Sequence, residues 1–256
     1  MIKEGKYIYC IICAEHDRYF KTGGVGNRGD EVQTIGHEDL SMVVSSHPLT
    51  KINVNRENML THEKIIEVVM KEYDSVLPLR FGTIASSAEE IRNLLDRRYS
   101  EFKNILWDVK HKIELGVRGL WTNIDAIFNE IVEESIEIKR AKEMIQQEEC
   151  KENVQLKMEV GKLVYKALQK KKRKETQNII EQLQGVFADI KLNKTVSDET
   201  FMNAAFLVDK GREKEFDNIM DDLGDKYRNK IMFKYAGPLP AFNFTNIVMH
   251  PEAWER

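Results

Sequence analysis

A chain of 256 residues, of which 42% are hydrophobic and 32% charged, has the composition of an ordinary folded protein and is long enough for two domains. A formal net charge of −3 excludes an overall electrostatic attraction to nucleic acid or to an anionic membrane. No apolar run approaches the ~20 residues of a membrane span, the N-terminal residues lack a signal peptide's apolar core, and three cysteines argue against a disulfide framework. We therefore expect a cytoplasmic protein with no membrane partner and no nucleic-acid partner.

The first apolar segment, residues 6–14, reads KYIYCIICA and predicts a central β-strand. Its Cys10 and Cys13 have the C-x-x-C spacing of redox and zinc sites. Residues three apart on a strand point to opposite faces, however, and no second Cys or Cys/His pair follows. We interpret both as packing cysteines and expect no metal site.

A glycine-rich stretch, residues 21–30, places Gly24, Gly26 and Gly29 in the G-x-G-x-x-G spacing of dinucleotide-binding loops. That fingerprint requires a helix directly after the glycines, because the N-terminus of the helix binds the pyrophosphate. Residues 31–35 instead alternate like a strand. We predict a mobile loop that binds no cofactor.

Two strands, about residues 31–35 and 39–46, are expected to form a hairpin, and a helix follows from an N-cap at Asn55 to about Asp74. Its predicted buried face carries Met59, His62, Ile66, Val69, Met70 and Tyr73. His62 lies within this apolar face, and no Ser or Cys nucleophile with an orienting carboxylate is evident. We therefore predict a core histidine bonded to a neighbour and no catalytic residue.

The stretch VLPLRFGT, residues 76–83, predicts a short buried strand. Pro78 cannot donate a ladder hydrogen bond, so it should mark the first residue of the strand or an edge of the sheet. A buried Arg80 would need acceptors, which we expect in loops or chain termini; anion binding is the alternative. Ser87 and Glu90 then form a capping box that opens a helix to about Lys110.

The second half has a βαββαβ pattern. Strands are predicted at residues 113–121, 186–192, 201–208 and 230–235, with a helix from about Arg212 that ends at Gly224. This order is that of a modified ferredoxin-like fold with a long helical insertion at about 125–184. We predict an α+β protein of two domains, residues 1–110 and 111–256.

The helical insertion divides into two amphipathic arms of opposite charge. Residues 125–149 hold eight acidic and three basic side chains, whereas residues 151–174 hold nine basic and two acidic ones. Arms folded as a hairpin would attract each other. The basic run 170–174 could instead reach past its partner to an acidic surface, or bind nucleic acid, although no aromatic interleaving accompanies it.

A proline-stiffened arm follows the last strand and carries two aromatic side chains. We expect it to pack in the cleft between the domains, near residues 76–83. Its candidate residues are Gly237, Pro238, Pro240, Phe242 and Phe244.

Several of these pieces, in this order, resemble the gas vesicle protein F and L family. VLPLRFGT resembles the central motif of that family, and the other matching segments are Tyr7–Tyr9, Leu40–Ser45, His62, Lys112–Arg118, Ala204–Val208 and Gly237–Phe244. Residues 125–195 match no motif of the family. The resemblance implies a modified ferredoxin-like second domain.

The same resemblance implies a non-enzymatic accessory protein of the gas vesicle that binds the small hydrophobic shell protein and other accessory proteins during vesicle nucleation and assembly. We therefore expect no catalytic, cofactor or metal residue. The candidate structural or interface residues are His62, Pro78, Arg80, Phe81, Gly237, Pro238, Pro240, Phe242 and Phe244. The alternatives are a small-ligand sensor or metabolic enzyme that uses His62, Arg80 and the glycine loop, and an RNA-binding protein that uses the basic helix.

Overall fold

The computed structural model describes residues 3–146, 153–245 and 247. Two compact units result, one formed by Met1–Glu114 with Gly237–Arg256 and the other by Leu115–Ala236. The chain is α+β with two sheets, as the sequence predicts. The division into domains of residues 1–110 and 111–256 stays a prediction. Residues 147–152, where the two predicted helical arms meet, lie outside the described part.

The sheet of the first unit has the strand order β2-β3-β4-β1-β5, and β6 also pairs with β1. Its strands are β1 (Glu4–Cys13), β2 (Tyr19–Gly23), β3 (Glu31–His37), β4 (Leu40–Pro48), β5 (Val76–Pro78) and β6 (Ile84–Ala85). The central position of β1 confirms the prediction for residues 6–14. Residues 21–23, the start of the predicted glycine loop, belong instead to strand β2, which pairs with β3.

Three helices cover the two faces of this sheet: α1 (Arg56–Glu72), α2 (Ala88–Arg97) and α3 (Tyr99–Asp108). The N-caps are confirmed, since the Asn58 N–H donates to Asn55 Oδ1 at 2.8 Å and the Glu90 N–H donates to Ser87 Oγ at 3.2 Å. The predicted single helix to Lys110 is interrupted at Arg98, whose φ of −113° and ψ of 20° are not helical.

One prediction for the buried face of α1 is wrong. Its buried side chains include His62, Ile65, Ile66 and Val69, at the i, i+3, i+4 and i+7 spacing of one stripe. Met59, one turn earlier, is 43% exposed. In the first turn the buried residue is Asn58, so the apolar stripe begins at His62 and Met59 is not part of it.

A β-bulge in β1 distributes side chains between two apolar cores. The register against β4 shifts between Ile8 and Cys10. Ile8 and Ile11 belong to a core that also holds side chains of α2 and α3, whereas Tyr7 and Tyr9 belong to a core that holds side chains of α1. The first unit is thus a sheet between α1 on one face and α2 with α3 on the other.

The second sheet has the strand order β10-β7-β9-β8. Its strands are β7 (Lys112–Trp121), β8 (Asp189–Leu192), β9 (Thr200–Asp209) and β10 (Ile231–Leu239), and its helices are α4 (Ile124–Glu134), α5 (Ile136–Gln146), α6 (Val154–Gln182) and α7 (Glu213–Tyr227). The elements follow one another in the predicted βαββαβ order. Helix α7 continues past Gly224 to Tyr227, so the predicted end at Gly224 is wrong.

The helices α4, α5 and α6 lie between β7 and β8 in the sequence, and they pack against one another. Lys171 Nζ lies 2.9 Å from Glu130 Oε2 and 2.8 Å from Glu134 Oε1, which confirms an attraction between the acidic and basic arms. No helix in the described ranges is long and apolar enough to cross a bilayer.

Candidate functional site

The stretch Val76–Thr83 forms a short strand followed by a tight turn. Strand β5 pairs with β1, and the Leu79 N–H donates to the Tyr9 carbonyl at 2.9 Å. The chain then reverses over Arg80–Thr83, a segment we call the Arg80 turn. Thr83 Oγ1 donates to the Arg80 carbonyl at 2.7 Å, and Gly82 has a φ of 88°, in the left-handed region that favours glycine.

The prediction of a buried Arg80 is wrong. The strand ends at Pro78, and the Arg80 side chain is exposed in the turn. A guanidinium in water needs no buried acceptor, so the reason for expecting partners in loops or termini disappears. Pro78 does lie on an edge strand, as predicted, but it is the last residue of β5.

A buried histidine holds the Arg80 turn in place. His62 Nδ1 lies 2.9 Å from the Tyr7 hydroxyl, and His62 Nε2 lies 3.1 Å from the Leu79 carbonyl oxygen. Because a carbonyl only accepts, Nε2 carries the proton and Nδ1 accepts from Tyr7. Burial lowers the pKa of His62 to about 4, with the Leu79 hydrogen bond opposing that shift. The prediction of a core histidine bonded to a neighbour is confirmed.

Two tyrosine hydroxyls extend this network to the turn and to the glycine loop. The Gly82 N–H donates to the Tyr7 hydroxyl at 3.0 Å, and the Val25 N–H donates to the Tyr9 hydroxyl at 2.9 Å. Burial raises the pKa of both phenols, that of Tyr9 to about 12. Both tyrosines are therefore neutral hydrogen-bonding groups at physiological pH.

The glycine loop is packed against this network. A Cβ at Gly24 would lie 2.5 Å from Ser45 Oγ, which is itself 2.8 Å from the Tyr9 hydroxyl. Val25 is fully buried. The packed part of the loop is Gly24 and Val25, whereas residues 26–29 are exposed, and the mobility of the loop stays a prediction. The strand predicted after the glycines is present as β3.

Among the residues of this cluster, Tyr7, Tyr9 and Ser45 were not identified as site residues from the sequence. The one signal was a pair of tyrosines, i and i+2, in an otherwise aliphatic strand. Phe81 completes the cluster, with its ring centroid 5.7 Å from that of His62. The hydroxyls, the imidazole and the backbone amides satisfy one another, so the arrangement acts as a rigid support for the Arg80 turn.

The C-terminal candidates are divided between a strand and a turn. Gly237 and Pro238 lie within β10, an edge strand, rather than in an arm beyond it. Pro240 is buried, Phe242 is 38% exposed and Phe244 is half-buried. The predicted position of this segment in a cleft between two domains stays a prediction.

Glu114 anchors the turn that follows Pro240. Its Oε2 accepts from the Asn243 N–H at 2.8 Å, and its Oε1 accepts from Asn243 Nδ2 at 2.5 Å. Burial raises the pKa of Glu114, and the bonds from Asn243 oppose that shift. Beyond this turn, Ile247 belongs to the same apolar core as Leu77 and Leu79.

The Arg80 turn and the turn after Pro240 both lie in a part of the chain that matches a known family. The sequence matches the gas vesicle synthesis protein GvpL/GvpF family over residues 5–246. The chain belongs to this family. Gas vesicle protein F1 of Halobacterium salinarum is 25% identical over 250 residues, covering 95% of this chain and 94% of that protein. Gas vesicle protein F of Dolichospermum flosaquae is 25% identical over 203 residues, covering 77% and 80%.

Solved GvpF structures have the same fold. The crystal structure of GvpF from an Anabaena species has a TM-score of 0.81 and 19% identity, covering 96% of this chain and 100% of that one. GvpF from Microcystis aeruginosa has the same TM-score and identity, covering 95% and 99%. The predicted GvpF/GvpL membership is confirmed, and with it an accessory role in gas vesicle formation.

Proposed function

We propose that this GvpL/GvpF protein is a non-enzymatic, minor component of the gas vesicle in the cytoplasm, where it binds the small hydrophobic shell protein and other accessory proteins during nucleation and assembly. Membership of the GvpL/GvpF family supports the assignment to the gas vesicle. The exposed Arg80, on a turn held by buried hydrogen bonds, supports a role in binding another protein.

The surface beside the turn has the composition of a protein interface. Met59 lies one helical turn before His62 on α1, and His62 contacts Phe81. Arg80 and Met59 are exposed and Phe81 is half-buried, and arginine, methionine and aromatic residues are the types enriched at interfaces. We call Met59, Arg80 and Phe81 the Arg80 surface and propose that it contacts an apolar segment of the shell protein.

The buried hydrogen bonds hold the backbone of the Arg80 turn in one conformation. Buried polar groups stabilise a fold only when each has a partner, and the His62, Tyr7 and Gly82 bonds meet that condition. A surface fixed in advance loses little conformational entropy when a partner binds.

The test is capture of the shell protein by the full chain and by two charge-reversal variants. Arg80→Glu changes the Arg80 surface, whereas Arg92→Glu makes the same change at an exposed position of α2, on the other face of the sheet. We expect Arg80→Glu to weaken capture about tenfold or more and Arg92→Glu to leave it unchanged. Both residues are exposed, so both variants should keep the wild-type unfolding free energy within about 0.5 kcal/mol. Equal capture by all three proteins would refute the proposal.

A further inference from the structure

Helix α6 is longer than the part of it that packs on the sheet. Its 29 residues extend about 43 Å at 1.5 Å per residue. The buried side chains all lie in its second half, at Leu168, Lys172, Thr176 and Ile179. Thr176 Oγ1 donates to the Phe201 carbonyl at 3.0 Å, and Lys172 Nζ donates to the Ser197 carbonyl at 2.8 Å. This face of the second half therefore rests on β9 and on the loop before it.

The same face continues into the first half of α6 and is exposed there. Counting back from Leu168 in steps of three and four residues gives Tyr165, Gly161, Met158 and Val154. Tyr165, Met158 and Val154 are 61%, 59% and 68% exposed, and a Cβ at Gly161 would meet no atom within 4 Å. We call these four residues the α6 stripe.

The contact of α6 with α4 and α5 does not cover the α6 stripe. The half-buried residues of the first half of α6, such as Val160 and Val164, lie roughly a quarter-turn or more away around the helix. Packing of α4 and α5 thus uses one face of α6, and packing on β9 uses another. The α6 stripe is the part of the second face that has no sheet beneath it.

We propose that the α6 stripe docks an amphipathic helix of another protein, with acidic residues along the edge of its apolar face. Val154 to Tyr165 spans about 17 Å, or three helical turns, which suits one helix lying alongside. Gly161 lets the two backbones approach closely at the centre of the contact. The exposed Lys162 and Lys166 line one edge at i, i+4 spacing and favour carboxylates on the partner.

This inference rests on the proposed function only in assigning the partner to the gas vesicle. The α6 stripe is a different surface from the Arg80 surface, and neither variant set touches the other. If Arg80→Glu does not weaken capture of the shell protein, the proposed function fails and the α6 stripe is unaffected. The peptide-binding measurement described next tests the α6 stripe alone.

The experiment uses two labelled designed peptides of about 20 residues with the same leucine stripe, one edged with glutamate and the other with lysine. Fluorescence anisotropy is measured with the full chain, with Tyr165→Glu, and with Tyr19→Glu as the matched control, since Tyr19 is 68% exposed on β2. We expect the glutamate peptide to bind the wild type and Tyr19→Glu alike and Tyr165→Glu at least about tenfold more weakly. The lysine peptide should not bind.

A second variant guards against loss of the helix. Gly161→Leu raises helix propensity and at the same time blocks close approach, so it should also weaken binding of the glutamate peptide while α6 stays folded. Equal binding by all variants, no binding by the wild type, or preference for the lysine peptide would overturn the proposal. Salt-sensitive binding of poly-uridine RNA that Lys162→Glu abolishes and Tyr165→Glu does not would overturn it in favour of nucleic acid.

Discussion

His62 Nε2 lies 3.1 Å from the carbonyl oxygen of Leu79, and this one buried bond joins helix α1 to the residue that precedes the Arg80 turn. The other ring nitrogen accepts from Tyr7 on β1. A single imidazole thus connects a helix, the central strand and the turn. No aliphatic side chain of similar size could replace both bonds.

Replacing His62 with phenylalanine should destabilise the first unit. The side-chain volume is roughly kept, but the Leu79 carbonyl loses its donor and the Tyr7 hydroxyl loses its acceptor, at a cost of about 1–3 kcal/mol for each group left unsatisfied. Urea unfolding measures the change. His16→Phe, at an exposed position, is the control and should unfold like the wild type. A His62→Phe variant as stable as the wild type would show that the two bonds contribute nothing.

The depressed pKa of His62 makes stability depend on pH. The ordinary pKa is 6.5 and the folded value is about 4, so between these values the unfolded state binds more protons than the folded state. The contribution of neutral His62 is complete above pH 6.5 and is lost as pH falls through that window, by up to about 3 kcal/mol. Unfolding free energies of wild type and His62→Gln should therefore converge toward pH 4. Parallel pH curves for the two proteins would contradict the assignment.

Adjacent glycines in the loop should respond differently to alanine. A Cβ at Gly24 meets Ser45 Oγ, whereas a Cβ at Gly23 would have no atom within 4 Å. Gly24→Ala must displace Ser45 and its bond to Tyr9, which should cost about 1–3 kcal/mol. Gly23→Ala should cost less than about 0.5 kcal/mol. Thermal unfolding of the two variants is a direct comparison, and equal melting temperatures would mean that the loop is not packed as described.

The glycine loop should bind no nucleotide. A phosphate-binding loop needs free backbone N–H groups and a helix N-terminus, but the Val25 N–H is donated to Tyr9 and β3 follows the loop. Calorimetry with ATP, GTP and NAD at millimolar concentration should give no saturable heat. Saturable heat with any of them would revive the ligand-sensor hypothesis.

Shortening the helical region should separate folding from assembly. Removal of residues 131–177 would take away Leu168, Lys172 and Thr176, which are buried in the second half of α6. Replacing residues 136–165 with a short turn keeps those contacts and the Lys171 ion pairs with α4. The variant should retain cooperative unfolding and fail to support normal vesicle formation in a deletion strain. Normal vesicles would show that this part of the helices is not needed for assembly.

Local sequence signals determined much of this protein. The spacing of apolar residues and the caps at Asn55 and Ser87 specified α1 and the start of α2, because period and capping are properties of a few neighbouring residues. The order of short motifs specified the GvpL/GvpF family. His62 was identified as a bonded core residue, since a lone histidine on an apolar face must find a partner.

The tertiary structure alone decided which candidates share a site and which reach the surface. Arg80 reads as part of a buried strand until the chain is known to turn directly after Leu79, whose N–H donates to Tyr9 on β1. Tyr7, Tyr9 and Ser45 are far from His62 along the chain, and only the stacking of α1 on the sheet brings them together. The exposure of the α6 stripe is likewise a tertiary property, because it depends on how far β9 extends beneath α6. Which strands pair and which layers pack on one another depend on residues far apart in the sequence, so the pattern of one short segment does not determine them.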